Sequence, residues 1–170
     1  DIAGVVRGFR EVIRVGGDKE LVSEAKRRLD DLDKTVRKLN GLSLDAFLNN
    51  SETFGEAFVA LQNSQFALAI DLFRRVLSTD PKHVQSWGNL GLAYAGIGER
   101  GKALECLDKA LELDPEYEIA AVNRIGIEKM EKGERLEAKI DSVNYYRDYK
   151  GKGKKSYISE TIRSFFKKGY

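Results

Sequence analysis

The sequence predicts an all-α chain: a short superhelix of stacked helix pairs, preceded by a helical hairpin and followed by an amphipathic helix. Three observations carry that prediction. Only two prolines occur in 170 residues, with 33% of residues charged and 42% hydrophobic, a balance that suits helices with one apolar face and enough core to fold. Those two prolines, Pro81 and Pro115, stand 34 residues apart, and each follows an aspartate, Asp80 and Asp114. The same offset pairs Ala69 with Ala103, Ile70 with Leu104, Phe73 with Leu107, Arg75 with Lys109 and Leu77 with Leu111, so the period belongs to the whole segment and not to the prolines alone.

The elements follow in order. Val6, Phe9 and Ile13 mark one apolar face of a helix from Ile2 to Val15, and Gly16-Gly17-Asp18 turns the chain. From Lys19 to Asn40, Val22, Ala25, Leu29, Leu32, Val36 and Leu39 alternate spacings of three and four, which places a seam along one side of a long helix. Three heptads are short for a coiled coil, so the seam is expected to pack against the preceding helix and the first repeat, with self-association as the alternative. Residues 1–49 therefore form an N-terminal hairpin or cap. Residues 50–149 form three helix pairs, at about 51–63 with 65–79, 82–97 with 100–113, and 117–132 with 134–149. In the pairs, Asp80 and Asp114 are placed to cap the next helix and Pro81 and Pro115 to occupy its first turn, where a missing N–H costs nothing. The third pair keeps Gly126, Gly133 and Ala138 but needs one extra residue near Glu118 and lacks a closing Asp-Pro, as end repeats of an array do.

Residues 150–170 read as a basic linker leading into an amphipathic helix with Ile158, Ile162, Phe165 and Phe166 on one face. From 147 to 170 the chain holds eight cations against two anions, a local +6 inside a net charge of +2. The expected role of that helix is to close the end of the array or to dock in a groove as a removable lid. The alternative is a nucleic-acid-associated module that uses the basic residues together with Tyr149, Tyr157 and Tyr170.

In the central pair, Trp87-x-x-Leu90-Gly91-x-x-Tyr94, then Ala103-x-x-x-Leu107, then Pro115 resembles the tetratricopeptide repeat consensus, with Leu in place of Phe at one position. The resemblance covers about 100 of the 170 residues. Gly91 and Ala103 are small where two helices cross closely, and Trp87, Leu90, Tyr94 and Leu107 are expected to fill the layers between helices. What the resemblance implies for function is protein–protein binding by an adaptor or scaffold, with a peptide or helix held in a concave groove. It places Phe54, Phe58 and Leu61, then Gln85, Asn89, Leu92 and Ala95, then Asn123, Ile127 and Met130 on that groove. Some members clamp a C-terminal carboxylate; Asn89 matches that pattern and Arg124 lies close to it. Phe54 and Phe58, however, stand where lysine and asparagine are required, so an apolar or amphipathic ligand fits better. The loose repeats are bacterial or archaeal in style.

Chemistry finds little foothold. Gly96-x-Gly98-x-x-Gly101 spells a dinucleotide fingerprint, but it falls between two helices with no strand before it. One histidine, His83, and one cysteine, Cys106, cannot build a four-ligand zinc site or an evident nucleophile and base pair. No enzyme, cofactor or metal is expected. A lone cysteine fits a reducing cytoplasm, no apolar run reaches the length of a membrane span, and an opening Asp is what a piece of a longer protein would show.

Overall fold

The computed structural model describes residues 2–131, and these contain seven helices: α1 (Ile2–Val15), α2 (Lys19–Asn40), α3 (Leu44–Gln62), α4 (Phe66–Thr79), α5 (Val84–Gly96), α6 (Arg100–Leu113) and α7 (Glu118–Glu128). The helices expected at 134–149 and after 150 lie outside the described residues. Two compact units meet in sequence between Asn49 and Asn50.

In the first unit, α1 packs against α2, and Ile2 and Val6 of α1 and Ala25, Leu32 and Val36 of α2 are buried. The middle of the predicted seam is thus covered within the chain, while Leu39 at its end is exposed. The connecting turn works as the sequence implies. Gly16 and Gly17 take positive φ, and the Asp18 carboxylate accepts from the backbone N–H groups of Glu20 and Leu21 to cap α2. At the far end Gly41 closes α2 in the left-handed conformation. One boundary moves: α3 begins at Leu44, seven residues before the expected start. No breaker separates Leu44 from Ser51, and two side chains cap the earlier start. Ser43 Oγ accepts from Ala46 N at 3.2 Å, and Asp33 Oδ1, reaching from α2, accepts from Leu44 N at 2.7 Å. The bond from Leu44 and then the Arg37 guanidinium hold the Asp33 carboxyl below the usual aspartate range.

The second unit stacks successive helices, α4 on α5, α5 on α6 and α6 on α7. Its interior follows the 34-residue period: Ala69 and Ala103, and Phe73 and Leu107, are each fully buried. Phe54 anchors the first layer, edge-on to Phe73 at 5.7 Å and stacked beside Phe58 at 6.4 Å. At the next crossing a side chain at Gly91 would collide with the interior. A Cβ there would lie 2.9 Å from Leu107 Cγ and 3.0 Å from the Ala103 carbonyl oxygen.

The helix starts differ from expectation. Asp80 and Asp114 end α4 and α6 as C-caps, and Pro81 and Pro115 sit in the turns that follow. Asp114 Oδ1 accepts from Glu116 N at 2.9 Å, so its carboxylate shapes the turn and not the next helix. The residue that caps α5 is His83, whose Nδ1 accepts from Ser86 N. Trp87 is half-buried, not interior, and its indole N–H donates to the Pro81 carbonyl at 2.9 Å. α7 ends at Glu128, four residues short of the expected boundary. Arg100, at the start of α6, donates to the Ile127 and Glu128 carbonyls and so satisfies acceptors that a longer helix would have used itself.

Candidate peptide-binding face

The residues that the resemblance placed on a groove keep the same spacing of i, i+4, i+7: Phe54, Phe58 and Leu61 on α3; Gln85, Asn89 and Leu92 on α5; and Asn123 and Ile127 on α7, with Met130 two residues past its end. That spacing puts the trios of α3 and α5, and Asn123 with Ile127, each on one side of a helix. The trios differ in exposure. Phe54, Phe58 and Leu61 are buried, with the Phe54 ring held among Phe58, Phe73 and His83. On α5, Gln85, Asn89, Leu92 and Ala95 are all buried, and α5 is interior on nearly every side. On α7, Ile127 is buried and Asn123 half-exposed, as is Met130 just past the helix end.

One polar atom in this stripe stands out. Asn89 Nδ2 is buried and has no hydrogen-bond partner among the described residues. Asn50 Nδ2 is in the same position, although its Oδ1 accepts from Thr79 Oγ1 at 2.7 Å. A buried amide donor without an acceptor costs about 1–3 kcal/mol, so a ligand oxygen placed there would recover stability as well as affinity.

The charge needed for a carboxylate clamp is committed elsewhere. Arg124 donates to Asp108 and Glu128, and those carboxylates, Asp108 first, raise its already high pKa. Together with the buried Phe54 and Phe58, this leaves no free cation on the stripe among the described residues.

The remaining motifs resolve into packing. Gly98 takes φ +80° in the turn between α5 and α6, and Gly96 lies under the Phe66 ring, where a Cβ would sit 2.4 Å from Cε1. Neither glycine faces a phosphate site, since no strand leads into the turn. Cys106 is buried, and burial with Glu105 beside it pushes its thiol up to about 11, the opposite of a reactive thiolate. Among the described residues no group of three metal-ligating side chains converges, and no helix is long and apolar enough to cross a membrane.

Sequence reasoning missed a pair of rings. His83 and Tyr117 stand 34 residues apart, each two residues after a proline. His83 packs edge-on against Phe54 at 5.2 Å; Tyr117 lies over Gly88, where a Cβ would be 3.0 Å from its Cε1. Gly88 is the 34-residue counterpart of Phe54, so a large residue facing the smaller ring in one repeat becomes glycine facing the larger ring in the next. Burial pushes the Tyr117 hydroxyl up to about 12. The shared distance from the prolines was the available signal.

The tetratricopeptide repeat family model matches residues 84–117, which hold α5, α6 and the turn into α7. Two proteins of Saccharomyces cerevisiae are similar over part of the chain. "Essential for maintenance of the cell wall protein 1" is 38% identical over 56 residues, 33% of this chain and 6% of that protein. Superkiller protein 3 is 32% identical over 78 residues, 46% of this chain and 5% of that protein. The chain thus matches about a twentieth of each relative's length, and both relatives are eukaryotic, so they lend no support to a bacterial or archaeal style. The match at 84–117, the 34-residue interior and the glycine-alanine crossing agree, and residues 84–117 of the chain are a tetratricopeptide repeat.

Proposed function

We propose that this chain is an adaptor module that holds a peptide or helix of another protein along the first-helix faces of its repeats. Tetratricopeptide repeats are a non-catalytic family that mediates protein–protein contacts, and the single observation that favours this face is the orphaned Asn89 donor at its centre. Asn89, Leu92, Asn123 and Met130 are the proposed ligand contacts, with Gln85 and Ile127 behind them. Phe54, Phe58 and Leu61 support the site from the interior. No charged residue belongs to the set, which suits an apolar or amphipathic segment that offers one backbone carbonyl to Asn89 Nδ2. The reading needs no cofactor.

Asn89→Leu separates binding from folding. It replaces an unsatisfied amide with methyl groups of similar branching, so the free protein should melt at the same temperature or higher. Peptides selected from a random displayed library on the native chain should lose tenfold or more in affinity for the variant, about 1.4 kcal/mol. Unchanged peptide affinity would remove Asn89 from the site. Failure to select any peptide, with salt-sensitive capture of RNA or DNA instead, would favour the basic tail of the sequence as the functional element.

A further inference from the structure

We infer that His83 makes the start of α5 an acid-sensitive latch: the ring caps the helix while it is neutral, and taking up a proton loosens the segment that carries Gln85, Asn89 and Leu92. The control of binding rests on the peptide-holding reading of that face, whereas the latch itself is a property of the fold.

The protonation state follows from the partners of the ring. His83 Nδ1 lies 3.2 Å from Ser86 N and 2.8 Å from Ser86 Oγ. A main-chain N–H can only donate, so Nδ1 accepts and the single proton of the neutral ring is on Nε2. The serine hydroxyl can turn to suit either state of the ring, but the amide cannot. A proton on Nδ1 would set two donors against each other and place a full positive charge at the N-terminus of α5, where the helix dipole is already positive. Ser86 N also bonds the His83 carbonyl at 3.1 Å, so it keeps an acceptor when the ring lets go. The outcome is a loosened first turn and not a lost helix.

The neighbouring charges pull in both directions. Lys82, next in the chain, opposes a further positive charge, and Asp80, whose carbonyl accepts from His83 N at 3.1 Å, favours one. From α3 the ring meets the uncharged Phe54 edge-on at 5.2 Å, a contact that would weakly attract an imidazolium, and from α5 it meets the uncharged Ser86. The amide contact sets the sign because it is the one that cannot reorient. The device is particular to this helix: Tyr117, the counterpart 34 residues on, makes no side-chain cap to α7. His83 is also the only histidine of the chain, so one imidazole accounts for histidine titration near neutral pH.

The full 170-residue chain and its His83→Asn variant, which keeps a capping side chain that does not titrate, test the latch. A proton that binds the folded chain more weakly than the unfolded one leaves stability intact above the ordinary histidine value of about 6.5 and erodes it as pH falls below. Between pH 7.5 and 5.5 the unfolding equilibrium constant in urea melts should therefore rise at least twofold more for the native chain than for His83→Asn. NMR titration of the lone imidazole needs no variant: its midpoint in the folded chain should lie below that in the urea-unfolded chain. A midpoint equal or higher, or the same pH dependence in both proteins, would overturn the latch. Histidine-free peptides selected from a random displayed library at pH 7.5 should bind the native chain at least twofold more weakly at pH 5.5, and His83→Asn equally at both. Binding by the native chain that ignores pH, beside a lowered midpoint, would overturn the control of the site. If no peptide is selected, the binding reading fails, and the titration still upholds or overturns the latch.

Discussion

Replacing Gly91 by alanine tests the central helix crossing with a single methyl group. The glycine lies within α5 and has an ordinary helical φ, so alanine is favoured locally by about 0.8–1.0 kcal/mol of helix propensity. Packing opposes it. The new methyl would meet Leu107 Cγ at 2.9 Å and the Ala103 carbonyl oxygen at 3.0 Å, several tenths of an ångström inside normal contact. Neither neighbour yields cheaply: Cγ is the branch point of a fully buried leucine, and the oxygen belongs to the backbone of α6. Relief requires α5 and α6 to part, and overpacking of this kind costs about 1–3 kcal/mol. The net is a loss of up to about 2 kcal/mol once propensity is set against the strain. Gly55→Ala is the matched control, because Gly55 lies inside α3, is exposed and has nothing within 4 Å. It should gain about 0.5–1 kcal/mol. Urea unfolding followed by far-UV circular dichroism should therefore move the two midpoints in opposite directions at an unchanged slope. A Gly91→Ala protein as stable as Gly55→Ala would refute the close crossing.

Two further perturbations read other parts of the fold. Trp87→Ala should cost about 1–3 kcal/mol, less than the 3–5 of a fully enclosed aromatic, because the half-buried indole leaves an opening to solvent and one lost bond to Pro81; a loss above 4 kcal/mol in the same melts would show the ring to be interior. Asp33→Asn keeps the shape of the cap on α3 but removes its charge. Because the folded carboxyl is held below its unfolded value of about 3.9, its contribution is complete above that pH and is lost as pH falls through the folded value. The wild type should exceed Asp33→Asn by about 1 kcal/mol at pH 7 and by much less at pH 3, and a difference independent of pH would exclude the charge as the cause.

Much of this chain was legible from spacing alone. The two prolines, the paired alanines and the glycines announced the period, and α1, α2, α4 and α6 fall where the apolar pattern put them. Local signals of that kind act within one or two helical turns, so a single sequence displays them. Helix ends that depend on distant atoms were not legible in the same way. Asp33 extends α3 from another helix, Arg100 takes the last carbonyls of α7 across 27 residues, and a histidine, no usual capping residue, begins α5.

The candidate site divides along the same line. Its helical spacing was present in the sequence by itself, since i, i+4 and i+7 share a face in any α-helix. Which members of that face are spent on the interior was decided only by the tertiary structure. Phe54 and Asn89 both belong to the predicted stripe, yet one is locked among three rings and the other holds an amide with nothing to bond. Burial is a property of the neighbours and not of the residue. The exchange of Phe54 and His83 for Gly88 and Tyr117 became visible only once the helices were stacked, because two changes 34 residues apart compensate through a contact that no local pattern records.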